Sequence, residues 1–464
     1  MNCVSRSVLR SLTIGLALAV GLLDLACSAA VESRPNVFVL LLDTVRVDAL
    51  GCYGNPDQTT PHLDQLAAEG VLFTQAISTS GWTLPSVASL LTGTWPVIHG
   101  GVGKGVELRP IRDEVPTAAE VLRSEGVRTA AFANAAFVSP MLHLDRGFDV
   151  FDHRYSYNWD ARRADETVDA ALAWVRENRH RQSFVLVHLF DPHLDYDPPP
   201  GYAEKFTGGR SEPVPPLNLS GCLALEREDG RSPIDEDIAY LRGVYLGEIS
   251  FLDEQIGRFV EGLRAAGLYD DAIVVVVADH GEEFWDHGGF EHGHSLYDEL
   301  VRVPLILKLP GGAQVARPVV DAQVRIIDIM PTLFEVLEIE APESFLGRSL
   351  SPLIRGLADE ERAAMCESTL YGEDRVGWRT ERYKYIVDLD PEAEHPEELY
   401  DWRDDPIERE DLTAERPDLV LALRAELLAF YGSLRVQAET MSDPEIVDLD
   451  PERIKMLRAL GYIR

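Results

Sequence analysis

Three apolar runs stand out along the chain: Asn36 to Leu42, Phe184 to Phe190 and Ala272 to Ala278. Each is continuous rather than alternating, the pattern of a strand buried on both faces of a parallel sheet. Each also stops abruptly at polar groups: Asp43, Asp191 Pro192 His193, and Asp279 His280 Gly281 Glu282. Helical patterns lie between them. Thr117 to Glu125 is stopped by Gly126, Asp165 can cap a helix through Asn178, and Ile238 to Ala266 has apolar residues three to four apart from Leu241 to Leu263. Arg128 to Ala133 reads as a further strand. This alternation predicts an α/β fold with a mostly parallel, mixed central sheet sandwiched by helices. Its ligand site belongs at the C-terminal strand ends, where the three polar stops fall.

The next informative stretch is Gly81 Trp82 Thr83 Leu84 Pro85, followed by Ser86 to Gly93. Pro85 suits a first helical position and Gly93 a helix end, which puts the Thr83 hydroxyl among free N–H groups at a helix mouth. A Thr there is most often a plain N-cap. Its company changes the reading: a divalent cation held by Asp43, Asp279 and His280 can take Thr83 as a fourth ligand, lower the pKa of its hydroxyl and shield an incoming anion. The competing reading for either Asp alone is a cap on the helix after its strand. A His beside two carboxylates suits Zn or Mn better than Ca.

Composition narrows the partners. The 464 residues carry 43 Lys and Arg against 78 Asp and Glu, a net charge of −35, which repels nucleic acid and anionic membrane. Arg6 and Arg10 precede an apolar run from Leu12 to Ala26, with small residues through Ala30. This predicts an export signal over 1–30, hence a periplasmic, secreted or envelope-anchored protein, with Cys27 as an alternative lipid-attachment point. Five Cys are too few for a disulfide scaffold. The catalytic domain is expected over 34–357. Beyond Leu357, a strand at Tyr383 to Val387 and a helix at Pro417 to Tyr431 predict a small C-terminal α+β subdomain over 358–464. Pro198 to Pro233 reads as a long excursion near the site mouth, a lid or surface decoration.

The run Asn36 to Gly54, with Asp43, Arg46, Asp48 and Tyr53 Gly54, resembles the opening motif of the sulfatase family in the alkaline phosphatase superfamily. Thr60 to Asp64, Ser89 to Gly93, Asp279 to Glu282, Tyr297 to Pro304 and Asp328 to Leu333 resemble its later blocks in order. Tyr383 to Tyr385, Glu398 to Asp401 and Leu457 to Ile463 resemble its C-terminal part. The departures matter as much. Thr83 stands where typical members carry the Cys or Ser that becomes formylglycine. Val87 replaces a motif Arg, Thr44 a second metal Asp, Asn134 and Ala136 a Lys and a His, and His294 a further Lys. The pattern is similar to the superfamily branch in which an unmodified Thr attacks phosphorus.

The resemblance implies a metal-dependent hydrolase of small anionic esters, phosphoric esters favoured over sulfuric, with Thr83 as nucleophile and His294 as general acid. It implies Asn134 and His193 as anion contacts, and Asp43, Thr83, Asp279 and His280 as ligands of Zn, Mn or Ca. A second metal at Asp191, His193, His292 and His294 stays open, as do hydrogen-bonding roles for those histidines. The alternatives are a sulfatase working without formylglycine, a phosphoryl or phosphoglycerol-type transferase, and a non-catalytic binding protein of the same fold. His62, His99, Lys104 and His287 read as local hydrogen-bonding or solvated groups.

Overall fold

The computed structural model describes residues 34–154, 162–208, 233–357, 360–390 and 396–449, with short pieces at 217–218, 221–222, 451 and 454–455. The export segment, Cys27, most of the stretch from 209 to 232 and the final motif from Leu457 to Ile463 lie outside them. Residues from Asn36 onward form one compact unit.

A nine-stranded sheet runs through it: β1 (Val37–Leu42), β2 (Val71–Ile77), β3 (Arg128–Ala133), β4 (Val150–His153), β5 (Ser183–Leu189), β6 (Ile273–Ala278), β7 (Arg302–Lys308), β8 (Val319–Val320) and β9 (Val324–Arg325). The order is β8-β2-β7-β6-β1-β5-β3-β4, with β9 also on β2. Only β7 runs antiparallel to its neighbours. The three apolar runs are the adjacent central strands β5, β1 and β6, buried along their whole lengths because both sheet faces are covered. Their ends are in register, Leu42 opposite both Leu189 and Ala278. The ladder continues one rung further, Asp43 N–H donating to Leu189 O and Asp279 N–H to Leu42 O. Two carboxylates therefore leave adjacent strands side by side.

Among the described residues the longer helices are α1 (Pro61–Glu69), α2 (Thr83–Thr92), α3 (Ala118–Ser124), α4 (Ala164–Asn178), α5 (Asp235–Ala265), α6 (Ile329–Val336) and α7 (Pro417–Ala438). Thr117 and Glu120 close a capping box on α3, and Gly126 turns the chain at φ 83°. α7 runs seven residues past the expected Tyr431. α4 takes its cap from elsewhere than expected: Asp191, not Asp165, accepts the Ala164 N–H at 2.9 Å. None of the described helices is long and apolar enough to cross a membrane.

A second, antiparallel sheet follows the large one: β10 (Ala364–Glu367), β11 (Arg375–Arg379), β12 (Lys384–Asp388) and β13 (Glu397–Tyr400). Its Ala364, Cys366, Ile386 and Tyr400 pack with Leu296, Leu300 and Val301 in a small core of their own. The loop after β10 thereby reaches the site. Ser368 O accepts both the Trp82 indole N–H (2.6 Å) and the Ser80 hydroxyl (2.8 Å).

Candidate active site

Helix α2 begins at Thr83 rather than at Pro85, with Trp82 in extended conformation before it. The Thr83 side chain makes no cap. Its Oγ1 lies 3.2 Å from His280 Nε2, so the N-cap reading gives way to a site contact. The helix mouth is held by buried hydroxyls: Ser86 Oγ donates to Ser80 O (2.9 Å) and Ser78 Oγ to Asp279 O (2.6 Å). Ser78 thus ties the loop before α2 to the β6 end. Gly281 lets the other side close up, since a Cβ there would fall 2.0 Å from Glu299 O.

Asp43, Asp279 and His280 are completely or almost completely buried, and one ligand atom of each lies within 4.8 Å of the others. Their polar atoms are oriented in a telling way. His280 Nδ1–H donates to Gly281 O at 2.9 Å, leaving the Nε2 lone pair toward the carboxylates. Nε2 faces Asp43 Oδ1 at 3.6 Å and Asp279 Oδ2 at 3.5 Å, and neither oxygen has a hydrogen-bond partner among the described residues. Two carboxylate oxygens and an imidazole lone pair converging in a buried space form a donor set that fits a divalent cation. Burial and the neighbouring Asp43 push Asp279 up to about 7. For Asp43 burial pulls the same way, but hydrogen bonding to His188 and the nearby imidazoles win and hold it at about 2.

Imidazoles line the next layer. His292 lies 4.5 Å from His280, ring to ring, and meets His193 edge-on at 5.1 Å. Its Nδ1–H donates to Glu282 Oε1 at 2.8 Å, and Glu282 Oε2 accepts the Tyr196 hydroxyl at 2.9 Å. Burial raises Glu282 to about 7 and lowers His193 to about 4. His193 Nδ1–H donates to Leu194 O, and His294 Nε2 is paired with Glu283 at 2.7 Å.

The structure separates some residues that the sequence reading grouped. Asn134 is no anion contact. Its amide donates to Thr167 Oγ1 (2.9 Å) and His188 O (2.8 Å), and its oxygen accepts from Arg162 Nε (3.0 Å), so both ends are engaged inside the fold. The proposed second metal set also does not converge. Asp191 caps α4 and His294 pairs with Glu283, and Asp43, Asp279 and His280 are the one metal-competent group among the described residues. Val87 is fully buried in the core and supplies no charge in place of the motif Arg. His99 bridges Ser89 and Gly101, Lys104 pairs with Asp374, His287 with Glu299, and His62 packs on Gly257 of α5.

A residue missed in the sequence is His188, whose Nε2 lies 3.1 Å from Asp43 Oδ2. Its signal was there: one imidazole in an otherwise apolar central strand.

A hydroxyl at a helix mouth thus faces two carboxylates and an imidazole at the ends of parallel strands. A family model described as Sulfatase matches residues 35–339, and one described as N-sulphoglucosamine sulphohydrolase, C-terminal, matches residues 285–430. The chain belongs to the sulfatase family, ester hydrolases of the alkaline phosphatase superfamily. It is similar to the uncharacterized sulfatase YidJ of Escherichia coli, 26% identical over 428 residues covering 82% of this chain and 83% of that protein. The arylsulfatase of Clostridium perfringens is 27% identical over 419 residues, covering 75% and 83%. Among solved structures, the phosphonate monoester hydrolase of Agrobacterium radiobacter superposes with a TM-score of 0.70 at 23% identity, covering 87% of this chain and 96% of that one. A protein solved in complex with its substrate D-glucosamine-2-N,6-O-disulfate superposes at 0.68 with 20% identity, covering 87% and 99%.

Proposed function

We propose that this chain hydrolyses small anionic phosphoric esters, diesters in preference to monoesters, with Thr83 as covalent nucleophile. The observation that carries the proposal is Thr83 Oγ1 at 3.2 Å from His280 Nε2, beside two carboxylate oxygens that lack hydrogen-bond partners among the described residues. Asp43, Asp279, His280 and Thr83 would hold a divalent ion, Zn or Mn before Ca. When bound, such an ion acts as a Lewis acid and lowers the pKa of a coordinated hydroxyl.

The side chains then divide the work. Thr83 Oγ, its proton lost to solvent, bonds to phosphorus as the leaving oxygen departs, and water then cleaves the Thr83–phosphorus ester and releases the monoester left from a diester. His294, oriented by Glu283, protonates the leaving oxygen. His193, with Nδ1–H given to Leu194 O, contacts the ester oxygens only in its doubly protonated form, which a bound anion favours. Thr cannot supply the aldehyde of a formylglycine, and Val87, Asn134 and Ala136 remove fixed charge that a sulfate ester would use. Positioning and cation electrostatics supply most of the catalysis of phosphoryl transfer, which suits it to such a site. The sulfatase relatives favour the second reading, a sulfuric ester substrate attacked by the same Thr83. The N-terminal pattern supports export, which the mass of the mature N-terminus tests: near Val31, or Cys27 if lipidated.

Acid quenching during turnover of an aryl phosphate diester, followed by peptide mapping, tests the nucleophile. A phosphoryl group that retains the second ester substituent on Thr83, and turnover lost on the order of 10⁴-fold in Thr83→Ala, are expected. An adduct elsewhere, or an active Thr83→Ala, refutes the assignment.

A further inference from the structure

The buried face of Asp43 opposite the cation site is occupied by His188, for which neither the family motifs nor the proposed chemistry has a use. His188 is completely buried on β5, in register with Leu41 of β1. An imidazole in that position gives up its hydration, so its hydrogen bonds carry the compensation. It makes one through its ring: Nε2 lies 3.1 Å from Asp43 Oδ2, while Nδ1 has no hydrogen-bond partner among the described residues. A carboxylate only accepts, so the ring proton sits on Nε2 and the lone pair on Nδ1, which leaves no buried N–H unsatisfied.

The consequence falls on the other carboxylate oxygen. With Oδ2 committed to His188, the Asp43 group cannot rotate, and Oδ1 is the oxygen that faces His280 Nε2 and Asp279. His188 is itself braced. Strand β3 ends at Ala133, and the side-chain amide of the next residue, Asn134, donates to His188 O at 2.8 Å. Arg162 Nε holds the Asn134 oxygen at 3.0 Å, and its Nη1 is anchored on Asp152 at 2.9 Å.

We propose that His188 is a positioning residue of the metal site. It donates Nε2–H to Asp43 Oδ2 so that Asp43 binds the cation through Oδ1, and Asn134 with Arg162 fixes His188 in place. The proposal rests on the reading of Asp43, Asp279 and His280 as a cation site.

The test is Zn²⁺ affinity of the full chain, measured by competition with a chromophoric chelator, alongside the melting temperature of the chelator-stripped protein. His188→Leu should weaken Zn²⁺ binding roughly 10- to 100-fold, the usual loss when the partner of a metal ligand is removed. His188→Gln still offers an N–H near the Nε2 position and should recover most of it, whereas the shorter His188→Asn should not. A purely structural role would instead lower the melting temperature of the stripped protein in all three variants without separating Gln from Asn in Zn²⁺ affinity. If His188→Leu does not fold, the Gln and Asn pair decides alone. Equal Zn²⁺ affinity in wild type and His188→Leu, or in Gln and Asn, overturns the proposal and leaves the cation site standing. Wild-type protein that binds no Zn²⁺ overturns the site reading, and this inference with it.

Discussion

Two buried clusters of charged side chains in this fold are built on opposite principles. In one, Asp298 accepts from Lys384 Nζ (2.9 Å) and Arg379 Nη2 (2.9 Å), and Lys384 also meets Glu408 at 3.0 Å. Two carboxylates face two cations. Burial raises the Asp298 pKa, but the two cations outweigh it and hold the carboxyl well below the usual range. In the other, Asp43 and Asp279 face imidazoles and a hydroxyl, and no Lys or Arg among the described residues bonds either carboxylate. The first cluster is electrically complete and fastens the C-terminal sheet to the catalytic core. The second carries like charges in a dry space, an arrangement whose cost is met only by a proton or a cation.

That contrast can be broken most forcefully at Asp279. Asp279→Asn should strip the site of its ion and lower hydrolysis on the order of 10³-fold, equivalent to several kcal/mol of transition-state stabilisation. The same change relieves repulsion, so chelator-treated Asp279→Asn should melt no lower than chelator-treated wild type. A variant that keeps its metal and activity would contradict the site. Lys384→Met should do the reverse, costing about 3–5 kcal/mol of stability by leaving Glu408 without its cation and Asp298 with Arg379 alone. Thermal melts with and without chelator should fall by the same amount. A loss seen only in the metal-loaded protein would mean that the clusters are not independent.

The pH response sharpens the distinction. Asp279 sits at about 7 in the cation-free fold, above the ~3.9 of an unfolded Asp. Through this group the cation-free protein is most stable below about pH 4 and loses that stability as pH rises through 7. Cation binding needs the ionised carboxylate and runs the other way, its affinity falling up to about tenfold per pH unit below 7. Chelator competition at about pH 6 and about pH 8 checks this, and a flat affinity would rule out proton displacement at Asp279.

The parts of the molecule legible in the sequence were those decided locally. β1, β5 and β6 announced themselves because strands buried on both faces need unbroken apolar runs, and Asp43, Asp279 and His280 were readable as polar stops to those runs. Thr83 followed from helix-end chemistry, although the helix starts two residues before Pro85. The residues misread or missed depend on partners far along the chain. Asn134 turns inward because Arg162 and Thr167 wait for it. Asp191 serves α4 because that helix begins beside the end of β5. His188 acquires its meaning only from a register that sets β5 against β1.

The central claim is that Thr83 beside this unbalanced pair of carboxylates serves phosphoryl rather than sulfuryl transfer. Values of kcat/KM for matched nitrophenyl phosphate diester, phosphate monoester and sulfate decide it on one metal-loaded preparation. The account predicts the diester fastest and the sulfate slowest. A sulfate preference of about tenfold or more, roughly 1.4 kcal/mol of transition-state binding, would contradict it and make the chain a sulfatase that works from an unmodified threonine.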